Sequence, residues 1–189
     1  MALMLPEVPE EIETERLLLR MPRPGDGKKV NAAIRASFDD LQPWLPFARH
    51  LPSLEETEIN TLEAHVHFLK KEVLRYLIFN KETGGFIGST GFHGIEWDMP
   101  KMEIGYWIDT RQSGLGYMAE AVSALADLAM DGFGCCRLEI RCDAANTKSR
   151  AIPENLGFQL EGVLRNDEWS VDGKRLTDTC IYAKLPENG

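Results

Sequence analysis

The segment Arg111–Gly116 carries the residue types most suited to chemistry in this chain. It reads Arg-Gln-Ser-Gly-Leu-Gly, and it lies between an extended aromatic-rich run, Met102–Ile108, and a helical pattern that begins near Gly116. A strand, a glycine-rich turn and a helix start in this order expose main-chain N–H groups and the positive helix end, which bind phosphate without a lysine. The segment predicts a site for a diphosphate-bearing cofactor; an ordinary tight turn before a packed helix is the alternative.

The spacing of the glycines disfavours two common nucleotide sites. A Walker loop needs four residues between its glycines, followed by Lys and Ser or Thr, and this segment has neither feature. The strict dinucleotide fingerprint has glycine at three positions, whereas here Tyr117 and Met118 follow Gly116 and Ala119 occupies the third position. The form that remains is Arg/Gln-x-x-Gly-x-Gly/Ala.

This form resembles the coenzyme A loop of the GNAT superfamily, the acyl-CoA-dependent N-acetyltransferases. The resemblance covers residues 14–184 and is closest to the RimL/RimJ-like branch, whose named members acetylate N-terminal amines of ribosomal proteins. The chain departs from that branch at Pro153, inside an expected helix, and at Asn155, where lysine is more usual. The other matching segments, in the family's order, are Thr14–Arg20, Met102–Ile108, Asn146–Ala151, Leu156–Phe158 and Glu161–Gly162.

The resemblance implies acetyl-CoA as the cofactor and a place for each part of it. The strands containing residues 102–108 and 137–142 are expected to splay apart, so that freed backbone groups at Trp107 and Ile108 bind the pantetheine arm. The N–H groups of Gln112, Gly114, Gly116 and Tyr117, with the Arg111 side chain, are expected to hold the pyrophosphate. The implied cofactor-binding residues are Trp107, Ile108, Arg111, Gln112, Ser113, Gly114, Leu115, Gly116, Tyr117, Asn146, Ser149 and Phe158.

Two residues are the catalytic candidates. Glu103 lies on the strand that enters the loop and resembles the acidic position that several GNAT members use as a base through water. Because Met102 and Ile104 flank it, a glutamate on the solvent face is the alternative, and His93 and Glu96 are weaker candidates for the base.

Ser149 is the candidate donor of a proton to the departing thiolate. The family pattern Asn-x-x-Ser places its hydroxyl near the thioester, and Asn146 would bind the pantetheine or position that hydroxyl. Helix capping is the alternative role for both residues. Gly157 and Phe158 resemble the turn and the aromatic residue that wall the cofactor cleft.

The expected function is transfer of acetyl from acetyl-CoA to a primary amine, with a ribosomal-protein N-terminus as one acceptor and no covalent acyl-enzyme. A terminal amine has a pKa of about 7.7–8.0 and needs less help to deprotonate than a lysine at about 10.4. Two alternatives stay open, a small-molecule amine such as an antibiotic, a polyamine or an amino acid, and a noncatalytic acyl-CoA-binding sensor. The aromatic candidates for the acceptor pocket are Trp44, Phe47, Trp97 and Trp169.

The composition limits the partners, the metal content and the cellular location that we expect. The 189 residues are 43% hydrophobic and 27% charged with a formal net charge of -9, which disfavours nucleic acid and anionic membranes as partners. The cysteines at 135, 136, 142 and 180 lack zinc-site spacing, so we expect no metal, reduced buried thiols and a cytoplasmic location. Many members of the family that this chain resembles form dimers, so a homodimer is an alternative to a monomer.

The elements that must position these residues form a mixed α/β fold in one domain, 1–189, with an irregular N-terminal extension over 1–13. The resemblance implies a mostly antiparallel sheet of about seven strands with one parallel splayed pair, flanked by helices. Ser53 and Glu56 predict a capping box for a helix over 54–73, with Ile59, Leu62, Val66 and Leu69 as its apolar stripe. Strands are expected over 15–21, 74–80, 85–95, 101–108, 137–142, 158–167 and 168–184, and further helices over 26–37, from 116 to about 131 and over 147–156.

Overall fold

A computed structural model describes residues 5–186, in which eight strands form one mixed sheet. Its strand order is β1-β2-β3-β4-β5-β6-β8-β7, and every neighbouring pair is antiparallel except β5 and β6. The strands in chain order are β1 (Glu11–Glu13), β2 (Leu17–Arg20), β3 (Leu74–Asn80), β4 (Phe86–Glu96), β5 (Lys101–Ile108), β6 (Arg137–Asp143), β7 (Gln159–Trp169) and β8 (Leu176–Lys184).

Helices cover both faces of the sheet. One face packs on α4 and carries the main hydrophobic core, whereas the other carries a smaller cluster in which Val30 and Ile34 meet Leu77 and Phe79. The helices are α1 (Gly27–Ala36), α2 (Phe38–Leu41), α3 (Leu54–Leu69), α4 (Tyr117–Asp127), which continues as a π-turn over Leu128–Gly132, and α5 (Thr147–Asn155). None of the helices between residues 5 and 186 is both long and apolar enough to cross a bilayer.

The expected fold class is confirmed, with differences at two strands. The meander of β3, β4 and β5 and the parallel pair formed after α4 are both present. An eighth strand, Glu11–Glu13, forms where we expected irregular chain, because it pairs with Leu18–Arg20. Strand β7 extends to Trp169, beyond the expected end at residue 167. Its pairing with β8 shifts register near Gly162 and again before Glu168.

The predicted apolar stripe of α3 is wrong. Ile59, Leu62, Val66 and Leu69 are exposed, and the face that packs inward consists of Thr57, Thr61, Ala64 and Phe68. The threonine hydroxyls donate to the carbonyl oxygens of Ser53 and Thr57, at 2.9 and 2.8 Å, so their polar atoms are satisfied when buried. The helix ends at Leu69 rather than residue 73, since Lys71 adopts a left-handed conformation with φ of 58°.

The capping box that begins α3 is confirmed. Ser53 Oγ accepts from the Glu56 N–H at 3.1 Å, and Glu56 Oε2 accepts from the Ser53 N–H at 2.7 Å. These two bonds satisfy main-chain donors that a helix start leaves without partners.

Replacing Ser53 with alanine removes one of these bonds, and we expect the free energy of unfolding to fall by about 1 kcal/mol. Urea denaturation followed by circular dichroism measures the change. Ser53→Asp is the control, because aspartate keeps an acceptor at the N-cap and should leave stability close to that of the native protein. Equal losses in both variants would contradict the role given to the cap.

Candidate functional site

The strands β5 and β6 stop pairing after three residue pairs. Lys101, Met102 and Glu103 of β5 are opposite Arg137, Leu138 and Glu139 of β6, yet β5 continues to Ile108 and β6 to Asp143. A gap therefore opens in the middle of the sheet directly after the Glu103–Glu139 pair.

Alternation along β5 determines which backbone groups face this gap. The Asp109 N–H donates to Ile87 O of β4, at 2.8 Å. Since successive residues of a strand direct their N–H and C=O groups to opposite sides, those of Trp107 face β4 and those of Tyr106 and Ile108 face the gap. Ile108 thus offers a free backbone edge, whereas Trp107 contributes its side chain to the other face of the sheet.

The loop after β5 is held in shape by Asp109, which is buried. Its carboxylate accepts from the Arg111 N–H at 3.0 Å and pairs with the Arg111 guanidinium, and its carbonyl oxygen accepts from Gln112 N at 2.8 Å. Burial opposes ionisation of Asp109, but the hydrogen bonds from Arg111 outweigh it and lower its pKa. The Ser113 N–H donates to Thr110 O. The amides of Gln112 and Ser113 are therefore occupied within the loop.

The three amides that follow are open. Within the described chain, the N–H groups of Gly114, Leu115 and Gly116 have no hydrogen-bond acceptor. Gly114 and Gly116 both have φ of 79°, a left-handed conformation that L side chains rarely adopt, and Gly116 is the N-cap of α4. These open amides lie directly before the N-terminus of α4, which is the arrangement that binds anions.

Arg16 is a residue of this site that the sequence analysis did not assign. Its Nη1 donates to Leu115 O at 2.9 Å, its guanidinium lies 4.6 Å from the centre of the Tyr117 ring, and its Nε pairs with Glu120 at 2.6 Å. A second cation thus lies beside the open amides. The sequence signal for Arg16 was its position within the Thr14–Arg20 motif. No neighbouring residue indicated that the start of β2 lies beside this loop.

Ser149 meets Tyr106 at the gap, and Pro153 explains the contact. A proline has no N–H, so Pro153 cannot donate to the carbonyl oxygen of Ser149 four residues earlier in α5. Instead the Tyr106 hydroxyl donates to that oxygen at 2.7 Å, and the Ser149 hydroxyl lies 3.4 Å from the Tyr106 oxygen. The proline inside the helix therefore frees a carbonyl oxygen that holds the phenol of Tyr106 beside the Ser149 hydroxyl.

The neighbouring candidates have structural contacts. Asn146 is the N-cap of α5, where its Oδ1 accepts from the Ser149 N–H at 3.1 Å, and Phe158 is buried in the main core.

The four cysteines are free, but Cys136 is exposed rather than buried as expected. Burial, and secondarily Cys180, raise the pKa of Cys142 beside Ser149 to about 11, so its thiol is protonated at neutral pH.

Glu103 lies at the closed end of the gap, on the sheet face opposite Ser149. Burial raises its pKa to about 7, Arg141 lowers it, and Glu139 and Glu168 raise it. His93 Nε2 is 3.6 Å from Glu103 Oε1, and burial lowers the pKa of His93. Both shifts favour the neutral forms, so near pH 7 Glu103 is an acid–base group rather than half of an ion pair.

A cavity of about 540 Å³ adjoins Glu103 on this face, between helices α1 and α3 and strands β3 to β5. His93 and Gly105, the neighbours of Glu103 in the sheet, line it, as do Phe47 and Trp107, whose ring centres are 5.9 Å apart. The other aromatic candidates, Trp44, Trp97 and Trp169, do not line it, and the indole of Trp97 donates to Lys71 O. Glu96 pairs with Lys101 at 3.0 Å, away from the gap.

Comparison with known proteins agrees with this geometry. A family model described as an acetyltransferase (GNAT) domain matches residues 16–159. The N-acetyltransferase p20 of Bacillus licheniformis is 33% identical over 62% of this chain, and the match spans 65% of p20, slightly less than two thirds. The ribosomal-protein-serine acetyltransferase of Escherichia coli (strain K12) is 29% identical over 77% of this chain and 79% of its own.

Solved structures extend the similarity to nearly the whole chain. RimL, a ribosomal L7/L12 alpha-N-protein acetyltransferase solved in complex with coenzyme A, has a TM-score of 0.85 at 25% identity, covering 95% of this chain and 100% of its own. An acetyltransferase from Salmonella typhimurium that modifies the N-terminal serine of protein L7/L12 has a TM-score of 0.81 at 25% identity, with 92% and 97% coverage.

The contact between Tyr106 and Ser149 can be tested with a double-mutant cycle. Tyr106→Phe leaves the Ser149 carbonyl oxygen without its donor, so we expect the free energy of unfolding to fall by about 1–2 kcal/mol. In a Pro153→Ala background the new N–H at position 153 can donate to the same oxygen, and the cost of Tyr106→Phe should fall to about half or less. Urea denaturation of the four proteins measures both costs, and equal costs in the two backgrounds would refute the link between Pro153 and Tyr106.

Proposed function

Because the chain belongs to the GNAT acetyltransferase family, we propose that it transfers acetyl from acetyl-CoA to a primary amine by direct attack in a ternary complex. The observation that carries this proposal is the gap between β5 and β6. The β5 residues along the gap line the cavity at Gly105 and Tyr106, and β5 leads directly into the loop with the open amides. The 189 residues then act as one catalytic domain in the cytoplasm, where reduced thiols are the rule.

The loop and the gap fit coenzyme A. The amides of Gly114, Leu115 and Gly116 would hold the pyrophosphate at the start of α4, with Tyr117 in the first turn. Arg111 donates to Asp109 through Nε and Nη2, so its Nη1 remains for phosphate, and Arg16 adds a second cation. The backbone edge of Ile108 faces the space that a pantetheine arm would occupy.

The side chains at the gap can move the protons that the reaction requires. Acetyl-CoA supplies the activated acyl group, and the amine must be neutral when it attacks. Glu103, with its pKa near 7, would accept the amine proton through a water molecule. Ser149 would protonate the departing thiolate, with Tyr106 holding the Ser149 region in place and Asn146 anchoring the helix start.

The acceptor that the relatives favour is a protein N-terminus. The Escherichia coli relative and the two solved neighbours are named for acetylation of ribosomal proteins, and a terminal amine needs only modest help from a base. A small-molecule amine and an acyl-CoA sensor remain the alternatives that turnover would distinguish. A homodimer is also part of the proposal, carried over from the family resemblance alone, and no nucleic acid or membrane partner is included.

Replacing Gly114 with valine should weaken coenzyme A binding at least about 10-fold, because a side chain at φ of 79° distorts the loop and obstructs the amides. Isothermal titration calorimetry with coenzyme A measures the affinity. Gly134→Val is the matched control, since Gly134 also has positive φ, with open space around it, but lies in the turn before β6. Unchanged affinity in Gly114→Val, or an equal loss in both variants, would refute the loop assignment.

Catalysis by Glu103 predicts a pH dependence of the rate. The base works only when ionised, so kcat should rise with pH through an apparent pKa of about 7. Glu103→Gln should lower kcat by about 100-fold at pH 8 and remove this part of the profile. Thiol release from acetyl-CoA with a panel of peptides and small amines provides the rates. Glu96→Gln, on the neighbouring strand but paired with Lys101, is the control and should keep the profile.

No thiol release with any acceptor, together with tight coenzyme A binding, would instead favour the sensor. An unchanged profile in Glu103→Gln would leave the transfer reaction standing and remove Glu103 as its base.

A further inference from the structure

Among the residues that the structure describes, Arg75 is the one arginine that is neither exposed nor paired with a carboxylate. Seven other arginines form salt bridges, and four are exposed without one. Within the described residues, Arg75 has a single hydrogen bond, from Nη1 to Asn60 Oδ1 at 2.7 Å. A guanidinium has five N–H donors, so most of those of Arg75 have no protein partner.

These donors face the cavity beside Glu103. Arg75 and Asn60 both line that cavity, and every fully buried side-chain nitrogen or oxygen between residues 5 and 186 has a partner, so the free donors remain accessible. Burial lowers the pKa of Arg75, because removing a guanidinium from water disfavours its charged form. An arginine stays protonated in proteins, so this cost is retained unless an anion enters the cavity.

The sheet beside Arg75 has free space. Arg75 of β3 is opposite Gly91 of β4, which in turn is opposite Gly105 of β5, so no side chain rises from the two strands next to it. A Cβ on Gly91 would lie 2.2 Å from Leu74 O, so this part of the floor cannot take a larger residue without a shift of backbone. The cavity is therefore open between Arg75 and the strand that carries Glu103.

The other charged groups around this cavity leave the charge of Arg75 unbalanced. Glu56 is the one carboxylate that lines it, and its Oε2 already accepts from the Ser53 N–H at the start of α3. Glu63 attracts Arg75 electrostatically but forms no salt bridge with it in the described part of the chain. The remaining titratable residues of the lining are His50, His93 and Tyr106. Burial raises the pKa of Tyr106, so its phenol is uncharged near neutral pH, and a histidine side chain carries no negative charge. None of the three can neutralise a cation.

We propose that the acceptor amine carries a carboxylate and that Arg75 binds this carboxylate. The inference rests on the proposed transfer reaction and names the class of its substrate. A guanidinium and a carboxylate form paired, charge-assisted hydrogen bonds, which orient the acceptor as well as bind it. Arg75 is a specificity-determining residue in this account.

The distance between the two groups limits the acceptor. Adjacent strands are about 4.8 Å apart, so the Cα atoms of Arg75 and Gly105 are separated by roughly 10 Å, and Glu103 is two residues further along β5. The carboxylate must then lie within about 10 Å of the amine. A free amino acid satisfies this limit, and so does a peptide with Asp or Glu among its first residues.

Matched acceptors test the proposal and separate these two sources. One arm compares a peptide with Asp at its second position against the same peptide with Asn, and the other compares an amino acid with its carboxamide. In the arm that contains the true source, we expect kcat/KM to favour the carboxylate by about 10- to 100-fold. Arg75→Gln should reduce this preference to about 3-fold or less, mainly through a higher KM for the acid, while the amide keeps its rate.

Two further variants serve as controls for the role given to Arg75. Arg75→Lys keeps the charge without the paired donors and should retain part of the preference. Arg35→Gln removes an exposed arginine of α1 outside the cavity and should retain all of it. Equal kcat/KM for acid and amide in the native protein, or an undiminished preference in Arg75→Gln, would overturn the proposal while leaving the transfer reaction intact.

A binding measurement separates a failure of the carboxylate site from a failure of the proposed transfer reaction. If no acceptor reacts, amide NMR can still follow Gly91 and Gly105 as the acid and the amide of each arm are added with coenzyme A. Shifts caused by the acid but not by its amide, and lost in Arg75→Gln, support the carboxylate site. Equal shifts for acid and amide, or no shifts, in both arms contradict it. Circular dichroism of each variant confirms that the fold is retained.

Discussion

The short parallel ladder between β5 and β6 is the constraint on which the rest of the site depends. Each strand is held by its outer neighbour, β5 by β4 as far as Ile108 and β6 by β8 as far as Asp143. The two strands can therefore diverge after Glu103 without losing their place in the sheet. The cost is a row of backbone groups without partners, and such groups must be satisfied by solvent or by a ligand.

The divergence connects two sites that the sheet would otherwise separate. The loop amides, Arg16 and the Ser149 hydroxyl belong to the α4 and α5 side, whereas Glu103, Arg75 and the cavity belong to the α1 and α3 side. A thioester in the gap would be accessible from one side to the group that protonates the thiolate and from the other to the attacking amine. Pro153 contributes from a distance, because the carbonyl oxygen that it frees holds Tyr106 at the edge of the gap.

Local sequence patterns were sufficient for the parts of this structure that depend on neighbouring residues. The loop glycines, the capping box of α3 and the strand–helix–strand crossover follow from turn chemistry, capping and handedness, and each is in place. The alternation of Met102, Glu103 and Ile104 along β5 also predicted that Glu103 lies on the sheet face opposite its two apolar neighbours. Only the fold shows that this face adjoins a cavity rather than open solvent.

The features that sequence reasoning missed depend on long-range packing. Arg16 reaches the loop because β2 lies near the start of α4. Arg75 faces free space because the residues beside it on two other strands are glycines. The stripe of α3 was misassigned because threonine hydroxyls that bond to the helix backbone bury as readily as apolar side chains. Amphipathic periodicity cannot recognise that substitution.

Amide NMR of the isotopically labelled protein, titrated with coenzyme A, tests the central claim most directly. If the open loop and the gap form the cofactor site, the resonances of Gly114, Leu115, Gly116 and Ile108 should shift together and saturate with one affinity. Saturable binding that moves other resonances and leaves these four unchanged would contradict the account.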